Sequence, residues 1–102
     1  MPTETPVLEK KKQTSRQIKE PGKFKVVVCN DDVTPIDFVI AMLISVFNIE
    51  SQRAVDLTLD IHNLGKATAG VFPYEIAEQK ALDATSMART NGYPLVTKVE
   101  AE

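Results

Sequence analysis

Residues 24–65 read FKVVVCNDDVTPIDFVIAMLISVFNIESQRAVDLTLDIHNLG, and this stretch decides the fold. Phe24 to Cys29 are rich in β-branched side chains that fit a pleated surface, so they read as a strand. Thr34-Pro35-Ile36-Asp37 then reads as a helix start. Thr34 is the expected N-cap, Pro35 sits at N1 where its missing N–H costs nothing, and acidic Asp37 stands at N3. Ile36, Val39, Ile40, Leu43 and Phe47 follow at helical spacing. Asn48-Ile49-Glu50 breaks that pattern. Ser51 is expected to cap a second helix that turns Ala54, Leu57, Ile61 and Leu64 inward and is closed by Gly65. Two helices in succession break a regular βαβ alternation and point to an α+β fold.

Downstream, Lys66 to Phe72 returns to strand character, with Ala67, Ala69 and Val71 on one face. Pro73 opens a third helix, whose Ile76, Ala77, Ala81, Ala84 and Ala88 form a small-residue stripe, and Gly92 ends it. Tyr93 to Val99 reads as the last strand, with Pro94 near its start where an edge strand tolerates it. The order β-α-α-β-α-β predicts three helices packed on one face of a small, mainly antiparallel three-stranded sheet. Upstream, residues 1–22 hold three prolines, Lys10-Lys11-Lys12 and only four apolar side chains, too few to order themselves. The chain is therefore expected to divide into a flexible tail over residues 1–22 and one core domain over residues 23–102.

A chain of 102 residues, 43% hydrophobic, suits one domain with a modest core. Its single Cys29 cannot form an internal disulfide, so a reducing cytoplasm fits. No run approaches the roughly 20 apolar residues of a membrane span, and no signal-peptide or transit-peptide pattern opens the sequence. Charge is unevenly placed. Residues 1–23 carry six Lys/Arg against three Glu, net +3, whereas residues 24–102 carry six against eleven, net −5. An acidic body argues against nucleic-acid binding, which is made mostly by Lys and Arg. The basic tail reads most simply as a solvated segment.

Polar chemistry gathers at Asn30-Asp31-Asp32 and at the only histidine, His62, near the end of the second helix. One reading is a polar strand-to-helix loop, in which Asx side chains satisfy nearby backbone donors, with a histidine stabilised by a helix end. The other is a cation site. A protein α-amine carries three N–H donors and a positive charge near neutral pH, and needs several acceptors placed together. An amide oxygen, a carboxylate and a neutral imidazole nitrogen supply that number. A protonated ring would repel the amine, so acidification is expected to weaken binding. A lone histidine without a Cys/His cluster does not suggest a metal site, and no cofactor is expected. Catalysis would need Cys29, Thr34 or Ser51 as nucleophile with His62 as base. Cys29 lies in an apolar strand, Thr34 is better used as a cap, and no glycine-rich loop suggests an oxyanion hole. A non-enzymatic role is therefore expected. Val28, Ile36, Val39, Thr58, Ile61 and Leu95 are partly core, yet together they would make a concave apolar patch beside the cation site. Burying one large side chain there adds roughly 1.5–3 kcal/mol, which suits a carrier that must release its cargo.

At these residues the chain resembles the ClpS family, bacterial adaptors that deliver N-degron substrates to the ClpA or ClpC unfoldase and so to the ClpP protease. The resemblance rests on Lys25-Val26-Val27-Val28, Asn30-Asp31-Asp32, Thr34-Pro35, Phe38-Val39, the His62 segment, Gly65-Lys66-Ala67, Gly70-Val71-Phe72, Ala77-Glu78 and Pro94-Leu95, in order and at the family's spacing. It spans about Phe24 to the end. It implies that Asn30, Asp31 and His62 hold a substrate's free α-amine. It implies that Val28, Asp32, Thr34, Ile36, Val39, Thr58, Ile61 and Leu95 line the pocket for the first side chain. The usual ligands of such a pocket are N-terminal Leu, Phe, Tyr and Trp. The unfoldase-facing surface maps onto Glu75 and Lys80. The N-terminal tail is similar in kind, not in sequence, to the segment that engages the unfoldase. A monomer is expected, since a transient adaptor need not self-associate.

The chain departs from the family pattern at Ile36 and Thr58, where Met is frequent, and at Val33, which replaces an aromatic residue. Met adapts to its guest, Ile is stiff, and Thr is smaller and polar. An altered preference among first residues is expected, with β-branched Ile or Val admitted. The competing expectation is a ClpS-like docking module that binds the unfoldase and modulates it without N-degron recognition.

Overall fold

The computed structural model describes residues 22–102. The tail expected over residues 1–22 lies outside the described residues, Gly22 excepted. The elements are β1 (Lys23–Cys29), α1 (Ile36–Phe47), α2 (Ser51–Leu64), β2 (Lys66–Pro73), α3 (Tyr74–Thr90) and β3 (Val96–Ala101). Their order is the β-α-α-β-α-β expected from the sequence. β1 is the central strand and pairs antiparallel with β2 on one side and β3 on the other.

Alternation along β1 sends Val26 and Val28 to one face of the sheet, and all three helices pack there. Val39, Met42, Leu43 and Phe47 of α1 meet Ala54, Leu57 and Ile61 of α2, and Ala77, Ala84 and Ala88 of α3, in one buried cluster with Leu95. The alanine stripe of α3 lets that helix approach the sheet closely, and the Thr97 hydroxyl donates to the Ala81 carbonyl across the contact at 3.2 Å.

Several local expectations are corrected. Thr34 does not cap α1. Pro35 holds the N-cap position in an extended conformation, without a side-chain cap, because the Thr34 hydroxyl donates to Asp31 instead. Asp37 still favours the first turn through the helix dipole. Glu50, not Ser51, caps α2, its carboxylate accepting from the Arg53 N–H. Leu64 and Ile76 face outward at 75% and 48% exposure, and Met42, which the spacing argument passed over, is fully buried. The last strand begins at Val96 rather than Tyr93 and runs on to Ala101, so Pro94 precedes the sheet.

β2 departs from simple alternation for a physical reason. Val26 faces Gly70 and Val27 faces Thr68, which leaves Ala69 as an extra, bulged residue. The bulge shifts the inward phase: Ala67 and Ala69 pack on the core, but Phe72 follows them, and Val71 is exposed. Gly70 makes room for that ring, since a Cβ there would fall 2.6 Å from Phe72 Cζ. Phe72 in turn lies 6.3 Å from the Phe47 ring and 5.7 Å beneath the Lys80 ammonium.

Candidate functional site

The site forms where three element ends meet. α2 closes at Gly65, whose φ of +92° is the left-handed conformation glycine adopts without strain. The reversal lets Lys66 pair with Cys29. It also places the Gly65 carbonyl to accept the Asn30 N–H at 2.9 Å. That bond ties the end of β1 to the end of α2, three residues after His62.

The loop from Asn30 to Thr34 is organised by Asp31. Its Oδ1 accepts the N–H groups of Val33 and Thr34 at 2.8 and 2.7 Å, and its Oδ2 accepts the Thr34 hydroxyl at 2.7 Å. Burial alone would raise this carboxyl. The hydrogen bonds from Thr34 and Val33, with the nearby Arg89 charge, outweigh burial and hold it below the ordinary carboxylate value. Asp31 is therefore ionised at neutral pH, with roughly one of about four acceptor positions left for a ligand.

Asn30, Asp31, Asp32, Thr34, Ile36, Val39, Thr58, Ile61 and His62 line one cavity of about 200 Å³. Polar residues come from the β1–α1 loop and the end of α2, and apolar residues from the first turn of α1 and the facing turns of α2. The volume lies below the roughly 300–1,000 Å³ typical of pockets for drug-sized ligands, and suits a single side chain. The Thr58 hydroxyl donates to the Ala54 carbonyl at 2.8 Å, so its polarity is spent within α2. Thr58 thus acts as a small wall rather than a polar one.

Two residues expected on the pocket wall are placed elsewhere. Val28 and Leu95 are 0% and 1% exposed and belong to the core cluster, not to the cavity lining. Of the two α3 residues expected at a partner surface, Glu75 is exposed and borders a shallow depression with Glu78, Gln79 and Leu82. Lys80 is occupied internally: its ammonium donates to the Val46 carbonyl at 2.9 Å and lies over Phe72. The sequence reading passed over Arg89. Its guanidinium donates to the carbonyls of Tyr93 and Leu95 at 2.8 and 2.9 Å, fixing the loop that leads into β3. A basic residue in the last turn of α3 is the one signal that pointed to it.

Among the described residues, no cluster of His, Cys, Asp or Glu could hold a metal ion, and no helix is long and apolar enough to cross a membrane. Cys29 is half-buried and does not line the cavity.

Comparison with known proteins identifies the family and the fold. Residues 19–98 match the family described as ATP-dependent Clp protease adaptor protein ClpS. The chain is 41% identical to the ATP-dependent Clp protease adapter protein ClpS of Treponema denticola over 86 residues, covering 84% of this chain and 85% of that one. It is 44% identical to the corresponding protein of Shewanella loihica over 84 residues, 82% of each chain. Among solved structures, Agrobacterium tumefaciens ClpS2 bound to L-phenylalaninamide superposes with a TM-score of 0.79 at 35% identity, covering 81% of this chain and 100% of that one. The chain belongs to the ClpS family of ATP-dependent Clp protease adaptors, and is an adaptor rather than an enzyme.

Proposed function

We propose that this adaptor binds the free α-amine and bulky hydrophobic first residue of N-degron substrates. It then delivers them, in the cytoplasm and as a monomer, to a ClpA/ClpC-type AAA+ unfoldase for degradation by ClpP. The observation that carries this reading is the single cavity in which Asn30, Asp31 and His62 adjoin the apolar walls of Ile36, Val39, Thr58 and Ile61. Convergent acceptors suit a cation, and the apolar hollow beside them suits the side chain attached to it. Phenylalaninamide, the ligand of the Agrobacterium ClpS2 structure, has both parts: a free amine and one large side chain.

In this reading Asn30, His62 and the remaining acceptor position of Asp31 take the three amine protons. Asp32 and Thr34 form the polar side of the mouth. Val28 and Leu95 support the hollow from within the core. Hydrogen bonds to a charged group contribute about 1.5–3 kcal/mol each, offset by the entropy of association. The unfoldase contact centres on exposed Glu75, because Lys80 is already engaged by Val46 and Phe72. Leu, Phe, Tyr and Trp are the expected first residues, with Ile and Val admitted by the small wall at Thr58 and the stiff gate at Ile36.

Fluorescence anisotropy with a short Phe-initiated peptide and its N-acetylated copy tests this reading. Tight binding of the free-amine form alone is expected. Equal binding of the two forms, or none, overturns it and favours a module that docks on the unfoldase without reading N-termini.

A further inference from the structure

Arg89 stands exposed in the last turn of α3, yet its guanidinium acts on the segment that carries Leu95 into the core. One nitrogen, Nη1, donates to two carbonyls, that of Tyr93 at 2.8 Å and that of Leu95 at 2.9 Å. Tyr93 has further anchors: its N–H donates to the Ala88 carbonyl at 2.8 Å, and its ring packs edge-on against Phe38 with centroids 5.0 Å apart. Leu95 lies outside the sheet, whose pairing on this side starts with Cys29 opposite Val96. Pro94, just before it, has no N–H to hold the segment. The bond from Arg89 therefore matters most at Leu95. That residue is 1% exposed and shares the core cluster with Val39 and Ile61, two residues that wall the cavity. The Arg89 charge also reaches Asp31 at the cavity mouth, where burial raises the carboxyl and the Thr34 and Val33 hydrogen bonds, joined by Arg89, lower it.

We infer that Arg89 is a positioning residue for recognition of the first side chain: it holds the backbone of Leu95, and through Leu95 it sets the depth of the wall made by Val39 and Ile61. The inference rests on the proposed capture of the α-amine and first side chain. Its physical basis is packing. A close-packed core passes a displacement of one member on to its neighbours, and a hollow of about 200 Å³ leaves a large guest little slack. A Leu95 carbonyl without its donor lets the segment shift, and the wall shifts with it. Large first side chains feel that change more than small ones. The chemistry of the clamp is also specific. Arg and Lys are not interchangeable where the guanidinium fork is used, but here one nitrogen makes both bonds. An ammonium, with three donors and the same charge, meets that requirement.

Arg89→Met, which keeps most of the side-chain length and offers no donor, and Arg89→Lys test this assignment. Fluorescence anisotropy is read with peptides beginning with Phe, Trp or Leu and with an acetylated Phe copy, at a temperature where far-UV circular dichroism shows each variant folded. Arg89→Met is expected to weaken the Phe and Trp peptides about fivefold, roughly the loss of one methylene of contact, and the Leu peptide less than about twofold. Arg89→Lys is expected to bind all three within about twofold of the unmodified chain. Unchanged affinities in folded Arg89→Met, or a loss equal for all three first residues, overturn the assignment. So does an Arg89→Lys variant as weak as Arg89→Met. Should Arg89→Met not fold, Arg89→Gln, whose shorter amide does not span both carbonyls, takes its place and must show the same unequal loss. If the unmodified chain fails to bind the Phe peptide, or binds its acetylated copy equally, the first-residue reading has failed and the role of Arg89 falls with it.

Discussion

The Thr34 hydroxyl donates to Asp31 Oδ2 at 2.7 Å while the Thr34 N–H donates to Oδ1, so one threonine grips both oxygens of one carboxylate. This pair sets the shape of the loop at the cavity mouth and keeps Asp31 charged.

A pH dependence follows. The folded state holds the Asp31 carboxyl below its ordinary value of 3.8. Its contribution to stability is thus fully present above that value and is lost as pH falls through the lower, folded one. Urea denaturation of the chain and of Asp31→Asn should show a constant stability gap at neutral and mildly acidic pH, closing only in strong acid. A gap that widens on acidification would contradict the assignment.

His62→Ala should weaken binding of a Phe-initiated peptide by about tenfold or more, the loss expected for one hydrogen bond to a charged group. His62 is exposed, so the thermal midpoint should hardly move. Asn30→Ala should behave alike, because its structural bond to Gly65 uses the backbone N–H. Titration calorimetry beside a melting curve separates binding from folding.

Specificity should follow Ile36 and Thr58. A panel of peptides differing only in residue one should show Ile and Val accepted beside Leu, Phe, Tyr and Trp. Thr58→Met restores the residue frequent in the family and should move the ranking toward Leu, Phe, Tyr and Trp, with Ile and Val losing ground. The family-like ranking, with Ile and Val excluded from the unmodified chain, would refute the role given to these positions.

Leu43→Ala removes a fully buried side chain from the middle of the core cluster. It should cost about 2–5 kcal/mol of stability. Measured by chemical denaturation, a loss under 1 kcal/mol would mean that the core refills the space.

The sequence made the element order legible because each helix carries its apolar residues at helical spacing and each strand its β-branched ones. All nine residues lining the cavity were named beforehand, some from acceptor chemistry and some through the ClpS resemblance. What escaped depends on contacts between segments. The bulge at Ala69 changes which residues of β2 face inward, and no local signal separates Val71 from Phe72 in that respect. Thr34 has two competing uses for its hydroxyl, as a helix cap or as a donor to Asp31, and composition does not rank them. Val28 and Leu95 have the apolarity of pocket residues, but only packing shows that the core has already enclosed them. Arg89 acts on the Tyr93 and Leu95 carbonyls, acceptors whose placement depends on how the loop after α3 returns to the sheet.

Among the described strands, β2 forms one border of the sheet, and it is the strand that carries the bulge. Borders of this kind offer unpaired amides to any passing extended chain, and a kinked one offers a poorer template for stacking. The extra residue at Ala69 makes this border a poorer template for pairing with another extended chain.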